Sequence, residues 1–147
     1  MPEATSTPSE PSEIAMLVSG LFDTLVMSLH EALPAAGFPD IRPAHSINLF
    51  RVIDPDGTRP TELARRANVT PQAMAEIGRY LEQRGYVERL PDPSDGRGRV
   101  LRLTVRGREA SSVARRVFAG LEAEWERKLG KPRCRQLRAM LRELSAG

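Results

Sequence analysis

TRPTELARRANVTPQAMAEIGRYLEQRGYVERLPDPSDGRGRVLRLTVR, residues 58–106, holds two short helical patterns followed at once by a hairpin with a charged tip. The first helix reads over residues 60–67. Pro60 suits the first helical position, where a missing N–H costs nothing, and Glu62 sets a negative charge at the positive end of the dipole. Leu63, Ala64 and Ala67 recur at helical spacing and give one small apolar face. Asn68 tolerates the left-handed conformation that ends a helix, and Val69 can plug the gap before the next. Thr70 and Pro71 restart the pattern as N-cap and first helical residue. Met74, Ile77, Gly78 and Leu81 then share a face, with Gln72, Ala73, Ala75, Glu76 and Arg79 on the other side, until Gly85 stops the helix.

Two helices joined by so short a turn form the arrangement in which the second enters the major groove of DNA. Ala73 and Ala75 allow close approach, while Gln72 and Arg79 can contact adenine and guanine edges bidentately. The bland alternative is a solvated helix face. Residues 86–90 read as a strand, residues 91–98 as a loop of turn-forming residues, and residues 99–104 as a half-buried strand with Leu101 and Leu103 on one face. A thin hairpin carrying Arg97 and Arg99 suits the minor groove, whose narrow stretches attract arginine. Arg99 and Arg102 could equally be ordinary strand-face charges.

Leu63-Ala64, Thr70-Pro71, the run from Leu81-Glu82 through Gly85-Tyr86-Val87 to Arg89, and Asp95-x-Arg97 followed by Leu103-Thr104 resemble the MarR family of multiple-antibiotic-resistance regulators. The resemblance covers residues 40–145. It implies a winged-helix homodimer that represses transcription and is often released from DNA by a small, frequently aromatic ligand. It also implies that Arg97 is the minor-groove arginine and that Asp95 orients it. Two positions depart from the family habit. Glu76 stands where a basic or hydroxyl residue is common, and its carboxylate would repel phosphates, although it can accept from cytosine N4. Gly78 replaces a β-branched residue and should cost about 1 kcal/mol of helix propensity.

The chain has 147 residues, enough for one domain with a core, at 40% hydrophobic and 28% charged content. The formal charge of +3 is unevenly spread: residues 84–108 carry seven arginines against three carboxylates. A basic hairpin supports nucleic acid as partner more than the modest total does. No uninterrupted apolar run approaches the length of a membrane span, and the N-terminus lacks the basic start and apolar core of a secretory leader. The expectation is a cytoplasmic protein. A single cysteine excludes an internal disulfide framework.

Residues 1–11 are too polar to pack and read as a disordered tail. Residues 12–53 hold a long amphipathic helix ended near Pro34, a Pro- and Gly-containing linker, and a second helix over residues 44–53. The first helix has an apolar stripe (Ile14, Leu17, Val18, Leu21, Phe22, Leu25, Leu29, Leu33) wide enough to meet a second chain as well as its own. Residues 54–106 form the reading module. Residues 107–147 hold a long helix from Gly107 to about Leu129, then a last helix opened by Pro132. The fold class is therefore mostly α with a small β-hairpin, a winged helix-turn-helix inside a helical dimerisation bracket formed by both chain ends. Such a bracket would space two reading heads about one helical turn apart, roughly 34 Å.

His45 and Asn48 are candidates for the mouth of an effector pocket between the dimer helices and the reading head; the bland reading of His45 is a locally hydrogen-bonded polar residue. Cys134, between Arg133 and Arg135, could be redox-active or an inert packed thiol. Two histidines and one cysteine show no tight cluster, so neither a metal site nor a cofactor is expected. There is no nucleophile–base pair and no phosphate-binding glycine loop, which argues against an enzyme. The function read from the residues is a DNA-binding regulator, with double-stranded DNA, a second copy of the chain and a small-molecule effector as partners. The competing reading is a winged helix that works through a protein partner without operator binding.

Overall fold

The structure is a computed structural model and describes residues 12–146; the tail assigned to residues 1–11 lies outside the described residues. Helix α1 (Glu13–Ala35) carries Pro34 in its last turn and packs along α5 (Val105–Leu129). Of its stripe only Leu29 and Leu33 reach the core, whereas Ile14, Leu17, Val18, Leu21 and Phe22 stay exposed. An 18-residue window of α1 averages 1.3 in hydropathy, so by length and composition this helix could cross a membrane. Single polar residues interrupt each apolar run of the helix without lowering the average far.

The helix expected over residues 44–53 is shorter and differently wound. A single α-turn, α2 (Pro43–His45), passes straight into a π-helical stretch (Ser46–Phe50). The wider winding turns Ser46, Leu49 and Phe50 inward together, and the N–H of Arg51 reaches back to the Ser46 carbonyl at 3.1 Å. Pro55 disfavours helical backbone at Asp54, so the chain leaves the helix before Ile53.

Helices α3 (Pro60–Ala67) and α4 (Pro71–Gln83) form as read. Asn68 is left-handed at φ 54° and ends α3, and its neighbour Val69 packs against the core. Met74, Gly78 and Leu81 bury the inner face of α4. Gly78 has a packing reason: a Cβ there would lie 3.0 Å from Leu101 Cδ1, so the glycine lets α4 approach the hairpin closely.

Strands β1 (Val87–Asp92) and β2 (Asp95–Leu103) are antiparallel, from Val87 opposite Leu103 to Asp92 opposite Asp95, with an irregularity between Pro91 and Asp92. Most of the expected loop over residues 91–98 is thus strand. Thr58 bridges the other side of β2 through two 2.9 Å bonds with Leu101, leaving β1 at an edge where Pro91 is tolerated. The same segment spoils the simple alternation of β2. Gly57 lies so close that its Cβ would meet Val100 Cγ2 at 2.9 Å, and Val100 is buried along with Leu101.

Helix α5 begins two residues before Gly107, the start expected from the sequence. Thr104 caps it by accepting from the Gly107 N–H at 3.1 Å, and its hydroxyl donates to the Gly85 carbonyl. A Cβ at Gly107 would overlap the Tyr86 carbonyl oxygen, so α5 crosses the root of the hairpin only because this residue is glycine. Gly130, at φ 83°, turns the chain back into α6 (Lys131–Ser145), which packs on α5. The core joins α1, the π-helical stretch, α3, α4, the hairpin root and the first half of α5. Tyr86, Leu29, Leu33, Leu49, Leu63, Met74, Leu81 and Leu101 are fully buried there.

Candidate nucleic-acid interface

The outer face of α4 is held by its cap. Thr70 Oγ1 accepts from the Ala73 N–H at 3.1 Å, satisfying one of the orphan donors of the first turn. Gln72, Glu76 and Arg79 are exposed, and Ala73 is half-buried, less open than its sequence position implied. The hairpin is tied to α4 by the Gly78–Leu101 approach and by an Arg89–Glu82 pair at 3.4 Å. Helix face and wing therefore pack directly against each other.

On the wing, Arg97 and Arg99 are exposed, and among the described residues neither they nor Arg79 form a salt bridge. Arg102 does, pairing with Glu88 at 2.7 Å, and is a strand-face charge. Asp95 does not hold the Arg97 guanidinium. Its Oδ1 accepts from the Arg97 backbone N–H at 3.1 Å, while Oδ2 accepts from Arg59 Nη2 at 3.2 Å. The expected orienting contact is thus made to the backbone, and the guanidinium is left unengaged.

Arg59 and Asp92 were missed from the sequence, where Asp92 read only as turn chemistry. Arg59 Nε also donates to Asp92, which is buried and accepts from the backbone N–H and the hydroxyl of Ser94 at 2.9 and 2.8 Å. These donors, the Ser94 N–H foremost, pull the Asp92 carboxyl down to about 2, and the two carboxylates raise Arg59 further above its ordinary value. The available signal was a pair of aspartates three residues apart in the wing, facing an arginine just ahead of α3.

The effector candidates, His45 and Asn48, lie in α2 and in the π-helical stretch that continues it. His45 is buried, its Nδ1 accepts from the Arg42 N–H at 3.0 Å, and its ring stacks on Tyr80 with centroids 4.7 Å apart. Burial, reinforced by Arg42 and Arg84, lowers its pKa to about 4, so the ring is a neutral structural group. Neither His45 nor Asn48 lines a described cavity. A cavity of about 380 Å³ instead opens next door, between the π-helical stretch and α5, lined by Ser46, Phe50, Ile53, Arg108, Arg115 and Phe118 among others. Ser46 Oγ is buried there without a hydrogen-bond partner among the described residues. Cys134 is buried against α5, in the setting of a packed thiol, and lines a separate cavity with Trp125. Among the described residues no group of His, Cys, Asp and Glu could hold a metal ion.

A capped second helix with an exposed polar face, locked to a two-stranded hairpin with unpaired arginines, defines a winged helix-turn-helix protein. The chain belongs to the MarR family. The sequence model of that family matches residues 49–98. The HTH-type transcriptional repressor Rv2887 of Mycobacterium tuberculosis is 39% identical over 90 residues, a stretch covering 61% of this chain and 65% of the relative, so less than two thirds of its length is spanned. A crystal structure of the Mycobacterium tuberculosis MarR family protein Rv2887 in complex with salicylic acid superposes with a TM-score of 0.63 at 31% identity, covering 92% of this chain and 98% of the other. The reduced form of MarR from E. coli superposes at 0.71 with 25% identity, over 92% and 98% of the two chains.

Proposed function

We propose that this chain is a homodimeric transcriptional repressor that binds a pseudo-palindromic operator and is released by a small aromatic or lipophilic ligand. The observation that carries the reading is the set of exposed arginines without carboxylate partners, Arg79 on α4 and Arg97 and Arg99 on the wing, on two elements packed into one body. Gln72, Ala73, Glu76 and Arg79 face bases or adjacent phosphates, Thr70 sets the helix N-terminus against a phosphate, and Arg97 enters the minor groove with Arg99 beside it. The name of the mycobacterial relative supports repression. A regulator of this kind works in the cytoplasm and needs no catalytic group.

The exposed stripe of α1 and the exposed Met140, Leu141 and Leu144 of α6 support pairing of two copies through both chain ends. The Ser46 cavity supports an effector. It is mostly apolar, with the aromatic rings of Phe50 and Phe118, the guanidinium groups of Arg108 and Arg115, and an unpartnered hydroxyl, a combination that suits a small aromatic acid.

Selection of duplexes from genomic DNA, followed by anisotropy titration at several salt concentrations, tests the function. Two chains per site, preference over a scrambled duplex and a steep salt slope are expected. A selection that returns no preferred sequence would favour action through a protein partner.

A further inference from the structure

We propose that Arg59 is a positioning residue for minor-groove reading: it holds the wing by both of its aspartates and thereby presents Arg97 to DNA uncompensated. The inference rests on the DNA-binding function proposed above. Arg59 precedes Pro60 with extended backbone (φ −63°, ψ 140°), so its side chain leaves α3 and can cross to the hairpin. Its guanidinium binds Asp92 through Nε and Asp95 through Nη2, one carboxylate on each side of the wing turn. Each aspartate passes the constraint on. Asp92 holds the Ser94 N–H and hydroxyl, and Asp95 holds the Arg97 N–H.

Gly98 belongs to the same device. A Cβ there would lie 2.5 Å from Arg59 Nη2, so any other residue would make the guanidinium shift from its place across the strand. The electrostatics follow. Without Arg59, the Asp95 carboxylate would lose its cationic partner while still holding the Arg97 N–H, and would be able to draw the Arg97 side chain inward. With Arg59 in place both are satisfied, and the Arg97 guanidinium has no carboxylate partner competing with the groove. Arg59 is itself partly exposed, so a direct phosphate contact is the competing role.

The two roles separate in a double-mutant cycle on the full chain, with the duplex selected as above. Wild-type binding is measured first; its absence overturns the DNA-binding function and is distinguishable from failure here. Arg59→Gln is expected to reproduce most of the loss caused by Arg97→Ala, with the double variant within about twofold of Arg97→Ala. Losses that multiply would show that Arg59 contacts DNA on its own account and would overturn the proposal. A readout without DNA completes the test. In Arg59→Gln the amides of Ser94 and Arg97 should exchange hydrogen at least about tenfold faster, with α4 unchanged. Gly98→Ala should do the same with Arg59 present, and Arg59→Lys, which cannot bridge two carboxylates with a fork, should give only partial protection. Unchanged wing exchange in both Arg59→Gln and Gly98→Ala would overturn the proposal.

Discussion

The hydroxyl of Tyr86 donates to the carboxylate of Asp40, joining the root of the wing to the linker between α1 and α2 across 46 residues of chain. Arg106 donates to the same phenol oxygen at 2.9 Å, and Tyr80, near the end of α4, donates its own hydroxyl to the Asp40 carbonyl at 2.7 Å. Asp40 is thus the hub where the reading helix, the wing and α5 meet the linker from the bracket. Asp40→Ala leaves the buried Tyr86 with a hydroxyl that has lost its acceptor, a loss of about 1–3 kcal/mol. Denaturant midpoints should show this, and Asp40→Asn, which keeps an acceptor, should recover most of it.

On the proposed interface, recognition would divide between α4 and the wing. Arg79→Ala should weaken binding by about 1–3 kcal/mol and relax preference at one operator position. Arg97→Ala should instead weaken binding to every duplex and reduce the salt slope by about one. Competition titrations against single-base operator variants distinguish the two patterns. If both substitutions leave affinity unchanged, the outer face of α4 and the wing are not the DNA surface.

What could be read from the sequence was local chemistry. Asn68, Thr70 and Gly85 each carry their conformational role within a few residues of themselves, and all three act as read. The misses are long-range. The Arg59–Asp92 contact joins residues 33 apart, and the bridge from Thr58 to Leu101 turns a two-stranded hairpin into an edge-protected one. Gly78 looks like a defect along the helix and becomes a contact point only when Leu101 is placed opposite it. The π-helical winding at Ser46–Phe50 has no periodic signature in so short a segment, and it decides which of His45, Ser46 and Asn48 faces the cavity.

His45 gives the stability a pH dependence with a definite sign. Its pKa falls from 6.5 to about 4 on folding, through burial first and then through Arg42 and Arg84, with Asp40 opposing them. Between those values the unfolded chain holds a proton that the folded chain does not. The contribution is therefore whole above pH 6.5 and is lost progressively as the pH falls to about 4. Denaturation of the wild type and of His45→Asn over this range should give a steeper profile for the wild type. The asparagine variant can still accept from the Arg42 N–H and should be less stable at pH 7, since it loses the stacking on Tyr80. Parallel profiles would mean that His45 protonates freely in the folded protein.

Ser46 should reveal whether the cavity beside it is a ligand site. An unpartnered buried hydroxyl opposes folding, so Ser46→Ala is expected to leave the unliganded protein as stable or more stable, by up to about 1 kcal/mol. Loss of that hydroxyl should at the same time weaken the response to a bound acid that it would otherwise meet. Salicylate is the natural probe, since a relative's structure contains it. Thermal shifts with millimolar salicylate should be positive for the wild type, reduced in Ser46→Ala, and reduced further in Arg115→Ala, which removes a cationic partner for the carboxylate. A salicylate shift that is the same in all three proteins would place the ligand elsewhere. A stabilised Ser46→Ala with no salicylate shift in the wild type would leave the hydroxyl as a cost of the π-helical winding alone.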